Sequence, residues 1–236
     1  YEADDHLGGQ FLFAGAHPRK SDFRYAADMA IKKIEEEGAE IHLNTVADAE
    51  TIEKEAPDAV ILATGSSPIV LNLPGSETAN TVSAQELLTN MNYNAKTAAV
   101  IGGGLVGIEV AENLALHGVE VTVIEMRDEV MTELGFLRKY STQLALADEP
   151  ITILTGTTCK AFEDGKIIAE NADGRVEIEA ELVVMAVGSR SRDVSDLEAK
   201  CASLNIPCYK VGDAKKAGFA IDAIHDAYDA VLAINA

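Results

Sequence analysis

Six residues, Gly102-Gly103-Gly104-Leu105-Val106-Gly107, constrain this chain more than any others. They place glycine at the first, third and sixth positions of G-x-G-x-x-G. Alone, such a run is a weak signal and reads equally as a glycine-rich turn without a ligand. Here it is framed. The apolar stretch Thr97 to Ile101 precedes it at strand length, and Leu105 to His117 follows as an apolar helix stopped by Gly118. Val119 to Ile124 then reads as a second strand, and the acid Glu125 stands 21 residues after Gly104. Strand, glycine turn, helix, strand and acid at this spacing form the dinucleotide-binding fingerprint. Gly102 makes the tight turn, Gly104 lets a pyrophosphate approach the backbone, and Gly107 lets the helix pack against the strand. The helix N-terminus at Leu105 and Val106 offers N–H donors and a positive dipole end to phosphate. Glu125 is placed to accept from ribose hydroxyls. A carboxylate there repels a 2′-phosphate and favours NAD(H), although Arg127, two residues on, could pair with such a phosphate.

Charge narrows the function classes. Nineteen Lys+Arg against 39 Asp+Glu give a formal net charge of −20, which argues against binding nucleic acid or an anionic membrane surface. Hydrophobic residues make up 47% of the 236 positions, enough for a packed core and against a disordered chain. The apolar runs are strand-sized, below the ~20 residues that span a bilayer, and no signal peptide opens the sequence. Cys159, Cys201 and Cys208 are too few and too scattered for a disulfide framework, and no CxxC or HExxH pattern offers a metal site. These features predict a cytoplasmic protein.

Strands alternate with helices along the chain, which predicts parallel α/β layers. Ser21 is placed to cap a helix running to about Glu37 before Gly38. Ile41 to Leu43 reads as a short strand, Asp48 to Glu55 as an acidic helix, and Asp58 to Gly65 as a buried strand ending in a turn. Ser83 to Glu86 has capping-box spacing. A helix is predicted from about Glu133 to Ala147. After Pro150, Ile151 to Leu154, Thr158 to Phe162, Lys166 to Glu170 and Val176 to Ile178 read as a β-meander with turns at Asp164-Gly165 and Asp173-Gly174. Leu182 to Val187 is a buried strand turned by Gly188. A helix over Asp193 to Ser203, a strand over Cys208 to Val211 and a closing helix over Ile221 to Ile234 complete the chain. Residues 68–187 look self-sufficient and residues 1–67 and 188–236 look interdependent, which suggests an inserted domain. Phe11 and Phe13 alternate like a strand. His6, His17, His42, His117 and His225 show no metal-like pairing.

Four further stretches fit a larger pattern: Tyr1-Glu2, Leu7-Gly8-Gly9-Gln10-Phe11, Ala63-Thr64-Gly65 paired with Val187-Gly188, and Gly212-Asp213 before the closing helix. Their order, with the fingerprint between them, resembles the C-terminal FAD/NAD region of the 2,4-dienoyl-CoA reductase and 2-enoate reductase family, the NADH:flavin oxidoreductases related to trimethylamine dehydrogenase. The resemblance covers essentially the whole chain. It implies two Rossmann-like domains of the pyridine nucleotide-disulfide oxidoreductase type: an inserted NAD(H)-binding domain with a β-meander (68–187) and a partial FAD-binding domain (1–67 and 188–236). Glu2, Gln10, Thr64, Gly65, Gly188, Gly212 and Asp213 would be its flavin-side residues, and Glu109 resembles an acid facing the nicotinamide. The alternative for Glu109 is an exposed first-turn acid that complements the helix dipole.

The resemblance also implies a parent with an N-terminal barrel that carries FMN and an iron–sulfur cluster. Hydride would pass from NADH to FAD and on to an enoate or enoyl-CoA type substrate. The chain departs from this pattern. It opens at Tyr1 without Met and has one G-x-G-x-x-G, so the first βα unit of the FAD domain is expected to be missing. Ala227 and Ser191 stand where glycine and proline are common. The expected consequences are weak flavin retention and an open sheet edge that invites dimerisation. The rival reading is a non-catalytic dinucleotide-binding fragment without bound flavin.

Overall fold

A computed structural model describes residues 1–17, 19–90 and 94–235. The chain falls into two units, one of residues 1–15, 20–67 and 189–236 and the other of residues 16–19 and 68–188. The first unit holds helices α1 (Gln10–Ala14), α2 (Ser21–Glu36) and α3 (Ala49–Glu55), then strand β1 (Val60–Leu62) and the start of β2 (Ser66–Pro68). The second unit runs β3 (Thr81–Ser83), α4 (Ala84–Asn90), β4 (Thr97–Ile101), α5 (Leu105–Leu116), β5 (Glu120–Ile124), α6 (Phe136–Leu146), β6 (Ile151–Leu154), β7 (Thr158–Glu163), β8 (Lys166–Asn171), β9 (Gly174–Glu179) and β10 (Leu182–Met185). The chain then returns through β11 (Ser189–Ser191), α7 (Ser195–Leu204), β12 (Cys208–Lys210) and α8 (Ala220–Ile234).

The second unit is built on a five-stranded parallel sheet in the order β3-β10-β4-β5-β6. Its central strands read as unbroken apolar runs because parallel strands are covered on both faces. Ala99, Val100, Val121, Val123 and Val184 have no exposed surface. One face packs on α5, through Ile108, Val110, Ala111 and Leu114; the other packs on β7, β8 and β9 through Phe162, Ile167 and Ile178. β6 therefore belongs to the parallel sheet beside β5, and the antiparallel meander has three strands. The expectation that Ile151 to Leu154 opens the meander is corrected. A four-residue apolar strand carries no mark of which sheet it joins.

One buried charge interrupts the apolar helix α5. Glu112 is 3% exposed. It accepts from His17 Nε2 at 2.9 Å and pairs with the Arg19 guanidinium. The Arg19 N–H donates to His17 Nδ1 at 3.2 Å, so Nδ1 is unprotonated and the ring proton sits on Nε2, facing the carboxylate. This cluster fastens His17 and Arg19 to α5.

The first unit has a two-stranded parallel sheet, β1 with β12, and β11 pairs with β2. β1 is not the fully buried strand expected from its sequence, since Ile61 is 41% exposed. α8 buries Ala230 but leaves Ile221, Ile224, Tyr228 and Val231 exposed. Three local expectations are also corrected. Phe11 and Phe13 lie on α1, where Phe11 packs on Phe23 of α2 with ring centroids 5.3 Å apart. Residues 41–43 form no strand; Glu2 N–H donates to the His42 carbonyl and Thr45 N–H to the Glu2 carbonyl, each at 2.8 Å. Ser21 is the first residue inside α2 rather than its cap, which is Lys20. The cap at Ser83 forms as its spacing predicts, through the Glu86 N–H at 3.0 Å, and Asp48 caps α3 through the Thr51 N–H at 2.9 Å. Among the described residues, no helix is long and apolar enough to cross a membrane.

Candidate functional site

The glycine turn of the second unit joins β4 to α5. Gly102 has φ +108°, a left-handed conformation that side chains disfavour, and a Cβ there would lie 2.3 Å from the Ala186 carbonyl oxygen. A Cβ on Gly107 would fall 1.9 Å from the Gly102 carbonyl oxygen, so only glycine lets the first turn of α5 seat against the loop. Gly103 occupies a position the fingerprint leaves open, yet a Cβ there would meet Val130 Cγ1 at 2.6 Å and Glu125 Cβ at 2.9 Å. Sequence reasoning missed this requirement because both neighbours come from beyond the helix.

Gly104 differs from the other three. Its backbone is ordinary (φ −66°, ψ −179°), and among the described residues its missing Cβ would meet only the Glu133 carboxylate, at 3.2 Å. Its absent side chain therefore leaves an open cradle beside the first N–H groups of α5. That cradle and those donors suit an anion such as a pyrophosphate. The Leu105 N–H donates to Glu133 Oε1, so a carboxylate stands where a phosphate oxygen would. Val106 is half exposed at the same helix end.

Glu125 closes the turn from β5. It is 7% exposed, and its two oxygens accept from the Gly103 N–H at 2.6 Å and the Arg127 N–H at 2.8 Å. Each carboxylate oxygen has a further acceptor position, so this arrangement orients the group and leaves capacity for hydroxyl donors. The Arg127 side chain is bonded to Thr132 Oγ1 at 2.9 Å, while Met126, between Glu125 and Arg127, is 70% exposed. Glu109 is not an exposed first-turn acid. It lies in the second turn of α5, is 17% exposed and faces Arg138 of α6 at 3.9 Å. Gly188 turns the chain after β10 with φ +97°, its carbonyl accepting from Ile69 N–H at 2.9 Å.

In the first unit the chain brings together residues more than 200 positions apart. Asp213 Oδ2 accepts from Gln10 Nε2 at 3.0 Å and from Ser66 Oγ at 2.7 Å, and its Oδ1 accepts from the Gly218 N–H at 3.0 Å. Gln10 also donates to Ser66 Oγ at 3.1 Å. Gly65, with φ +73°, turns β1 toward this cluster, and Thr64 beside it is exposed. Gly212 N–H donates to Asp226, and the Lys215 ammonium holds that carboxyl below its usual range. Ser66 is the member the sequence did not flag. Glu2 is not in the cluster: its carboxylate accepts from the Asp4 N–H at 2.9 Å. Burial pushes the Cys159 and Cys208 thiols up to about 11, so neither is a thiolate at neutral pH. Among the described residues, no group of His, Cys, Asp and Glu could hold a metal ion.

The sequence profile described as "Pyridine nucleotide-disulphide oxidoreductase" matches residues 11–209, most of the chain. The chain belongs to that family. Members of this family pair FAD with a pyridine nucleotide, and the α/β fold with its parallel sheet is theirs. The chain is 33% identical to bilirubin reductase of Mediterraneibacter gnavus over 97% of its own length and 35% of that protein's. It is 30% identical to cinnamate reductase of Clostridium sporogenes, again over 97% of this chain and 34% of the relative. Among solved structures, 2-naphthoyl-CoA reductase in complex with 2-naphthoyl-CoA superposes with a TM-score of 0.88 at 27% identity, covering 96% of this chain and 34% of that one. The resemblance to the C-terminal region of enoate reductase-type proteins read from the motifs is thus supported by comparison. The chain spans about a third of the length of these relatives.

Proposed function

We propose that this chain is the NADH- and FAD-binding module of a flavin-dependent reductase, with residues 68–187 as its dinucleotide domain. The observation that carries this reading is the turn from Gly102 to Gly107: a cradle at Gly104, the Leu105 N–H of α5 directed into it, and the Glu125 carboxylate fixed by two backbone donors. Glu125 is the ribose acceptor and sets the preference for NADH. Gly104, Leu105 and Val106 supply the phosphate contacts. Glu109, held near α6 by Arg138, lines the nicotinamide side. Bound together, the two cofactors supply hydride transfer, and the protein's part is to position them and exclude water. The cluster of Gln10, Ser66 and Asp213, with Thr64, Gly65 and Gly212, supports a flavin-side role for the first unit. The relatives that reduce cinnamate and bind 2-naphthoyl-CoA point to an unsaturated acid or its CoA thioester as the parent's substrate, taken up in a separate barrel domain with FMN and an iron–sulfur cluster.

Titration calorimetry tests the cofactor reading. The chain should bind NADH at least tenfold more tightly than NADPH. Glu125→Ala should cut NADH affinity by about tenfold, the loss of roughly one charge-assisted hydrogen bond, and NADPH affinity by less. Tighter binding of NADPH by the wild-type chain would contradict the role given to Glu125.

A second reading has its own observation. The first unit's parallel sheet has two three-residue strands, and α8 turns Ile221, Ile224, Tyr228 and Val231 to solvent. Parallel sheets are ordinarily covered on both faces. This supports a chain that binds dinucleotide in its second unit but retains no flavin by itself, and whose open sheet edge favours dimers. A flavin absorbance band in the purified chain, at about one FAD per chain, decides against it.

A further inference from the structure

We propose that Glu133 is a built-in competitor for the dinucleotide pyrophosphate, a residue that sets how tightly the second unit holds its cofactor. The inference rests on the dinucleotide reading of the Gly102–Gly107 turn. α5 begins without a cap of its own. Its N-cap residue is Gly104, which has no side chain, and no acid lies in its first turn. An uncapped helix start leaves N–H donors and partial positive charge that attract an anion. Glu133, from the loop that leads into α6, answers that demand. Its Oε1 accepts from the Leu105 N–H and lies 3.2 Å from the place a Gly104 Cβ would take. Both features that make the turn a phosphate cradle are therefore engaged by one carboxylate.

The same geometry makes the contact reversible. Glu133 is exposed, so its side chain can rotate into water without breaking core packing. The loop behind it is anchored: Met131 N–H donates to the Gly103 carbonyl at 2.8 Å and Leu134 N–H to the Met131 carbonyl at 3.1 Å. Rotation about the side chain alone, with the loop in place, uncovers the helix end. Until it rotates, the carboxylate excludes a phosphate oxygen from the Leu105 N–H; once it has rotated, it remains a nearby negative charge. Removing it should strengthen every ligand that carries a pyrophosphate.

The test is calorimetric titration of NADH and of ADP-ribose, which keeps the pyrophosphate and lacks nicotinamide. The proteins are the full wild-type chain, Glu133→Ala, Glu133→Gln and Glu129→Gln. Glu129 lies in the same loop and pairs with Lys139 at 2.8 Å, so its substitution controls for general loss of negative charge. Glu133→Ala should tighten both ligands by about tenfold. Glu133→Gln, whose amide oxygen can still accept from Leu105 but carries no charge, should gain less. Glu129→Gln should match the wild type. Binding by the wild-type chain with no gain in Glu133→Ala, or an equal gain in Glu129→Gln, overturns the competitor role and leaves the dinucleotide site standing. Absence of binding in all four proteins overturns both.

Discussion

Gly104→Val should abolish NADH binding, with affinity falling at least a hundredfold, while the chain stays folded. Valine at this position adds three carbons to the one face of the turn that is open, where the pyrophosphate must lie. The backbone does not oppose the change: at φ −66° and ψ −179° it is in the extended region that β-branched residues adopt readily. Among the described residues, the only contact within 4 Å of an added Cβ is the exposed Glu133 side chain, which can give way. Valine at Gly107 would behave differently. There the new carbon overlaps the Gly102 carbonyl, and the turn itself must break. A folded Gly104→Val chain, judged by circular dichroism, that binds NADH with wild-type affinity would show that the cofactor lies elsewhere.

The second large effect is on stability. Glu112→Ala should cost about 3–5 kcal/mol, because it removes the acceptor that satisfies a buried His17 and leaves a cavity on α5. For a chain of this size that is a fall in Tm on the order of 10 °C, read by calorimetry or by circular dichroism. Arg19→Ala should cost less than Glu112→Ala because it opens no cavity on α5, but still about 1–3 kcal/mol, since the buried Glu112 carboxylate loses its cationic partner. A loss of only a few tenths of a kcal/mol in both substitutions, the size typical of exposed ion pairs, would contradict the view that burial makes this cluster costly to break.

How much of this was legible depends on where each residue's partners lie. Gly107 could be read because its constraint, the Gly102 carbonyl, lies five residues away, and Gly102 because its left-handed φ is a demand of the turn itself, although the Ala186 carbonyl that also presses on it is far away in sequence. The reason for Gly103 could not, because Val130 and Glu125 press on it from more than 20 residues away. The same distance hid Glu133, which reaches Leu105 across 28 positions and is one acid among many in the sequence. Glu112 did leave a signal: a carboxylate between Ala111 and Leu114 on a helix face that is otherwise apolar needs a partner, and His17 and Arg19 supply it. Phe11 and Phe13 misled because two alternating aromatics are too few to define a period. Packing on α2 chose the helix. Gln10 and Asp213 were found only through resemblance, since no local pattern joins residues 203 positions apart.

The central claim is that the dinucleotide sits in the Gly102–Gly107 turn. Amide resonances of the isotopically labelled chain, followed during titration with NADH, test it most directly. Leu105, whose N–H faces the cradle, and its neighbours Gly103, Gly104 and Val106 should shift most and saturably, with Arg127 responding through Glu125. Shifts that leave these amides unmoved while NADH binds would contradict the account.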